Sequence, residues 1–190
     1  MGQKVLSNYS IRWIKRRKAI ELMELTDGVI RLRLYQENDD DIGRALQWYR
    51  DAEVLYYSEG PGTEPFTRDR VVRMYSFLAS HGELYIIEVK TPDGWQPIGD
   101  VTLAEDTMPI VIGDAQWRSR GIGSRVLRLV IQRARDLGWT ELQAKHIWTD
   151  NVRSQRLFTG CGFVLTQSGI DKAGRSFHRY QLTLSSQSRE

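Results

Sequence analysis

Polar and apolar positions along the 190-residue chain follow two different periods. Residues 29–35, Val29-Ile30-Arg31-Leu32-Arg33-Leu34-Tyr35, alternate and predict a half-buried strand entered from a turn at Asp27-Gly28. Asp39-Asp40-Asp41 offers a cap and first-turn negative charge to a helix running through Tyr49. Residues 56–62 read as a loop. Thr67 caps a second helix with Val71, Val72, Tyr75, Phe77 and Leu78 apolar, ending near His81-Gly82. Residues 84–90 and 96–104 predict strands joined at Pro92-Asp93-Gly94, and a third run at 107–112 completes an antiparallel meander. Beyond it, Val126, Leu127, Val130, Ile131, Ala134 and Leu137 recur at steps of three and four, with Arg125, Arg128, Gln132, Arg133 and Arg135 between them. That is an amphipathic helix, and Gly138 suits its end. Residues 142–148 predict a strand, 150–161 a helix stopped by Gly162, and 163–166 with 176–184 a closing hairpin around Asp171-Lys172-Ala173-Gly174. This order predicts an α/β protein with a mixed, mostly antiparallel sheet and about four helices.

Composition narrows the class. Hydrophobic residues make up 41% and charged residues 27%, ordinary for one globular domain. A single cysteine, Cys161, excludes an internal disulfide and fits a reducing compartment. Apolar runs are too short to cross a bilayer, and Arg12, Lys15, Arg16, Arg17 and Lys18 interrupt any leader-like stretch, so the expected location is cytoplasmic. Residues 1–20 hold six basic and no acidic side chains, leaving 21 basic against 24 acidic in the rest. The net charge of +3 is therefore a tail on a mildly acidic domain, unlike the basic face of a nucleic-acid-binding fold. The expected layout is a basic extension over 1–27, one domain over 28–185 and a tail over 186–190. The extension reads as a mobile segment or a helix packed on the domain or a partner subunit, and alternatively as an anchor on RNA or an acidic surface. Monomer and homodimer both remain open.

The chemistry gathers at the start of the long helix. In Arg118-Ser119-Arg120-Gly121-Ile122-Gly123-Ser124 the two glycines let a ligand approach backbone N–H groups, which open a helix where the dipole favours an anion. Arg118 and Arg120 add positive charge, so a phosphate or pyrophosphate is the expected occupant. The segment lacks the Lys-Ser/Thr of a P-loop, and Val126 stands where a dinucleotide fingerprint needs a small residue.

Arg118-x-x-Gly121-x-Gly123 resembles instead the coenzyme A pyrophosphate loop of the GNAT acyltransferases. The downstream run from Asn151-Val152-Arg153-Ser154 through Leu157-Phe158 to Gly162-Phe163 resembles the second cofactor helix and following strand of that superfamily. Trp48-Tyr49-Arg50-Asp51-Ala52-Glu53-Val54 resembles a segment of its ribosomal-protein N-terminal and aminoglycoside-type branches. The resemblance implies a GNAT fold and transfer of an acetyl group from acetyl-CoA directly onto a primary amine, either a small cationic amine or a protein N-terminus. It implies that residues 118–124 (Arg118, Ser119, Arg120, Gly121, Ile122, Gly123, Ser124) hold the pyrophosphate. It further implies that Val111, Ile112 and Gly113 lie on a strand that splays at a bulge to hold pantetheine, and that Asn151, Ser154 and Phe158 lie at the thiol end.

Many relatives carry a tyrosine where this chain has Phe158, which cannot donate a proton. Ser154, one turn earlier on the same side, takes its place as the candidate for the leaving thiolate. The first two helices and their loop are expected to wall the acceptor groove, with Trp48, Tyr57 and Glu59 as contacts. Candidate bases are Asp100, Glu105, Asp106 and Glu59. Asp100 leads, because alternation sets it on one face with Thr102, away from Val101 and Leu103. Cys161 reads as core packing rather than a nucleophile. His81, His146 and His178 share no metal-ligand spacing, so no metal is expected. A non-catalytic acyl-CoA-binding protein of the same fold is the alternative that Phe158 keeps open. A ribosome- or RNA-associated module working through the basic N-terminus is a second.

Overall fold

Helix starts are set by short polar side chains. In the computed structural model, which describes residues 25–184, Asn38 caps α1 (Asp39–Trp48) by accepting from the Asp41 amide, and the three aspartates fill the first turn rather than capping it. Asp51 caps α2 (Ala52–Ser58), accepting from the Glu53 and Val54 amides. Part of this helix was expected to be loop, but burial of Val54 and Leu55 makes seven residues worth winding. Thr67 caps α3 (Arg68–His81) as the sequence predicts. α4 (Ile122–Asp136) and α5 (Val152–Gly160) follow the predicted periodicity. The described residues thus hold five α-helices rather than about four.

The strands form two separate sheets. β1 (Leu25–Thr26), β2 (Ile30–Leu34), β3 (Glu83–Thr91), β4 (Gly94–Leu103) and β5 (Ile110–Ile112) pair in that order, while β6 (Glu141–Trp148), β8 (Ser176–Thr183) and β7 (Val164–Ile170) form the second sheet. The architecture is α/β as expected. Every ladder among the described residues is antiparallel, because the crossover β5–α4–β6 ends without a ladder between its strands. β1 extends the fold ahead of the expected boundary at 28: Leu25 faces Leu32 and is buried. The expectations for residues 1–24 and 186–190 lie outside the described residues. No helix among the described residues is long and apolar enough to cross a membrane.

β3 is buried on both faces, and its alternation feeds two cores. Tyr85, Ile87 and Val89 pack with Val126, Leu127, Val130, Ile131 and Ala134 of α4. Leu84 and Ile86 pack with Ile42, Ala45, Val54, Val71 and Tyr75 of α1–α3. Each fully buried aliphatic side chain contributes roughly 1.5–3 kcal/mol, so α4 is held mainly by its apolar face.

One charged pair is enclosed in the first core. Arg133 of α4 donates to both oxygens of Glu83 at 2.9 and 2.8 Å, and Tyr85 Oη donates to the same carboxylate at 2.5 Å. Removing one partner strands the other charge in a dry interior. Glu83→Ala is therefore expected to lower unfolding free energy by about 3–5 kcal/mol in urea titration.

Candidate active site

The parting of the sheets opens a cleft of about 670 Å³, floored by Ile110, Val111 and Ile112 of β5 and by Ala144–Trp148 of β6. β5 is the last strand of its sheet, so its far edge faces the gap. The Thr102 amide bonds the Pro109 carbonyl, and Asp100 pairs with Val111. By two-residue alternation the Val111 peptide groups turn to β4, and those of Ile110 and Ile112 turn to the cleft. The Ile112 carbonyl accepts from Arg118 Nε at 2.9 Å, as this geometry requires. Of the strand residues expected to offer backbone to a ligand, Ile112 turns its peptide groups to the gap, while Val111 turns its own to β4 and packs against the second core.

Gly113 lies just past the last β4–β5 pair, and the Asp114 amide bonds the Ile98 carbonyl at 3.0 Å, one residue out of the register that pairs Gly99 with Ile112. The chain is thus irregular at Gly113, as a bulge there would make it. Glycine is needed because a Cβ would fall 2.1 Å from Trp48 Cγ. Trp48 itself is 6% exposed and does not line the cleft, so it supports the strand end instead of touching an acceptor. A second irregularity is in β6, where the register shifts between Ala144 and Ile147 and His146 takes φ of 57°. Nothing in the sequence of β6 announces that bulge. β6 is the end strand of its sheet, so its edge away from β8 has no strand partner.

At one end of the gap α4 begins. Gly121 adopts φ of 77° with no side-chain cap, which leaves the Ile122, Gly123 and Ser124 amides without a side-chain acceptor among the described residues. Ser119 also holds a positive φ, 59°, beside them. Ser119, Gly121, Ile122, Gly123 and Ser124 all line the cleft. A Cβ on Gly123 would meet Leu157 of α5 at 3.0 Å, so this glycine also sets how closely the two helices approach.

Arg118 is not the open cation that the loop pattern implies. Its guanidinium donates to Asp51 at 2.9 Å, Glu53 at 2.8 Å and the Gly113 carbonyl at 2.7 Å. Burial pushes Asp51 up, yet Arg118 and the Val54 and Glu53 amides outweigh it and hold the carboxyl below its ordinary range. Glu53 is held low first by Arg153, which reaches it from α5. Positive charge near the uncapped amides falls instead to Arg120, which lies over the Trp117 ring, and to Arg156, a cleft residue with no carboxylate partner among the described residues.

Asn151 caps α5, its Oδ1 accepting from the Ser154 amide at 3.0 Å, and lines the cleft with Ser154 and Phe158. Phe158 is 1% exposed and packs edge-on against Phe163, so it forms apolar wall. At the other end the cleft is walled by Tyr49, Val54, Tyr57, Ser58, Glu59 and Met74. Tyr57 and Glu59 lie where an acceptor contact was expected. Asp100 does not. It has the expected facing, opposite Val101 and Leu103, but α1 and α3 cover that face, and it is 2% exposed behind Tyr49. Glu105 and Asp106 are exposed and lie off the cleft. Cys161 is half-buried against the core, and burial pushes its thiol up.

An α/β domain split at one strand pair, with an uncapped helix N-terminus at one end of the gap and a walled groove at the other, has acyltransferase architecture. The sequence model of the acetyltransferase (GNAT) domain matches residues 30–164, and the chain belongs to that family. Similar solved structures include the ribosomal L7/L12 α-N-protein acetyltransferase RimL with coenzyme A: 12% identity, 87% of this chain, 100% of that one, TM-score 0.69. The aminoglycoside acetyltransferase AAC(6')-Ib with paromomycin and acetyl-CoA gives 18% identity, 85% of this chain, 98% of that one and TM-score 0.68. The Vibrio cholerae spermidine N-acetyltransferase with coenzyme A and spermine gives 16%, 83%, 96% and 0.67. At these identities the likeness is one of fold. The comparison with curated proteins finds no match.

The buried Asp100 gives a pH signature. Burial pushes its carboxyl up to about 7 from an ordinary 3.8, against the opposing pull of the Tyr75 and Tyr49 hydroxyls. Between those values the folded chain binds more protons at this site than the unfolded chain, so its contribution to stability falls as pH rises through the window and stays low above it. Asp100→Asn is expected to flatten that slope, gaining most over wild type above pH 7, in urea titrations across pH.

Proposed function

We propose that this protein transfers an acetyl group from acetyl-CoA directly onto a primary amine. The supporting observation is one continuous cleft, running from the bare amides of α4, along the unpaired edge of β5, to the groove walled by Tyr57 and Glu59. The residues present fit the cofactor: helix-start amides with Arg120 and Arg156 suit a diphosphate, and strand-edge peptide groups suit an arm that carries amides of its own. Bound there, acetyl-CoA supplies an activated acyl carbonyl.

The chain's own groups meet the remaining demands. The Ile112 N–H, turned to the cleft, is the donor for negative charge developing on the acyl oxygen. Asn151 spends Oδ1 on its cap and keeps its amide nitrogen for the ligand arm. Ser154 offers a hydroxyl to the departing sulfur. Phe158 and Leu157 form apolar wall beside it. Glu59 meets the positive charge of the acceptor, because Glu53 is already held by Arg118 and Arg153 while Glu59 has only a 3.4 Å contact with Arg70. A small cationic amine or a protein N-terminus satisfies this groove. Phe158 keeps a second reading in view, an acyl-CoA-binding protein without turnover. Release of thiol from acetyl-CoA across an amine panel tests the proposal: release with at least one amine supports it, and tight binding without release on any supports the alternative.

Two substitutions probe the ends of the cleft. Gly121→Val places a β-branched residue at positive φ and crowds the amides, so coenzyme A affinity is expected to fall about tenfold or more by calorimetry, with the circular dichroism spectrum unchanged. Ser154→Ala is expected to lower kcat about tenfold, the size of one hydrogen bond, with little change in KM for acetyl-CoA.

A further inference from the structure

Four carboxylates are buried in the described residues: Asp41, Glu83, Glu88 and Asp100. Three are matched by arginine. Asp41 and Glu88 pair with Arg33, Glu88 also with Arg31, and Glu83 pairs with Arg133. Asp100 has no cation among the described residues. Its partners are two phenols, Tyr49 Oη to Oδ1 at 3.2 Å and Tyr75 Oη to Oδ2 at 2.8 Å. A carboxylate enclosed without a countercharge is costly, and such an arrangement marks a group kept for its chemistry.

Both phenols are buried, Tyr75 at 0% and Tyr49 at 3% exposed, but only Tyr49 borders the cleft. Tyr49, stacked on Phe66, forms part of the cleft wall at the acceptor end, beside Tyr57, Glu59 and Met74. Asp100 also faces Val111 across the ladder, one residue from the Ile112 N–H assigned to the acyl oxygen. The proton acceptor thus lies at the level of the strand where the new bond must form.

Resting on the acetyl-transfer reading above, we propose that the Tyr49 hydroxyl, backed by Asp100, takes the proton from the attacking amine. The substrate ammonium gives one N–H proton to the Tyr49 oxygen while Tyr49 passes its own hydrogen to Asp100 Oδ1. The carboxylate becomes a neutral carboxyl, and no phenolate forms. The freed lone pair makes the C–N bond, and the C–S bond breaks with its electrons on sulfur. The second N–H proton reaches the thiolate through water, and Asp100 returns its proton to solvent by the same route after release. Tyr49 is the catalytic residue, and Asp100 is the positioning residue that gives it somewhere to send a proton. Tyr75 fixes the other carboxylate oxygen.

The groups that face this pair are few. Tyr49 comes from the end of α1 and Tyr75 from α3, with the Glu59 carboxylate acting on Tyr49 and Asp41, itself neutralised by Arg33, acting on Tyr75. Asp100, lifted by burial, must be ionised to accept, so kcat should rise with pH through about 7.

The test is kcat against pH for the full chain, with coenzyme A affinity measured alongside. Tyr49→Phe and Asp100→Asn are each expected to lower kcat about a hundredfold, abolish the rise near neutrality and leave coenzyme A affinity unchanged. Tyr75→Phe removes a hydrogen bond that favours the ionised carboxylate, so the midpoint of the rise in kcat should move upward. If Asp100→Asn does not fold, Tyr49→Phe carries the test alone. A wild-type rate and profile in Tyr49→Phe overturns the relay while leaving acetyl transfer standing. A wild-type protein that releases no thiol with any amine overturns the acetyl-transfer reading, and the relay with it.

Discussion

Peptide groups must be satisfied, and at the gap between β5 and β6 the fold leaves some of that work undone. Elsewhere the described strands pair side by side. Here the outer edges of β5 and β6 carry no ladder between them, and the helix that connects them starts without a cap. The gap is held open from both flanks. Trp48 occupies the space over Gly113, and Leu157 of α5 fits against Gly123 of α4. A ligand carrying its own amides and a diphosphate supplies the missing partners, so cofactor affinity and sheet geometry are one problem.

Ion pairs then decide which side chains remain available. Arg118 joins the end of β5 to the start of α2, and Glu53 passes the connection on to Arg153 of α5. Farther along, Asp150 takes Tyr56 at 2.5 Å and Arg175 at 3.2 Å, and Arg175 lies over the Trp148 ring at 4.2 Å. α2 is thereby tied to both banks of the cleft. These contacts are shallow and individually weak, yet they neutralise the charges around the mouth and leave Glu59 and Arg156 as the less committed ones.

Much of this was legible in sequence, because it depends on local rules. The three-and-four spacing from Val126 to Ala134 needs only an apolar face, Gly138 adopts the positive φ that its position suggested, and Asn151 caps the helix that it precedes. What was misread depends on partners distant in the chain. Arg118 looked free for an anion because Asp51 and Glu53 lie some sixty residues earlier. Alternation gave Asp100 its facing but not the α1 and α3 side chains that cover it, and the same limit hid Tyr49 in favour of its neighbour Trp48. The β6 bulge leaves no mark, since Lys145 and His146 are ordinary strand residues until pairing with β8 forces the shift.

Cys161 bears on how any of this chemistry is followed. It is the chain's sole sulfhydryl, half-covered, and its environment disfavours the thiolate. A chromogenic disulfide reagent added to the reaction should therefore react with liberated coenzyme A well before it modifies the protein, giving a turnover readout with little background.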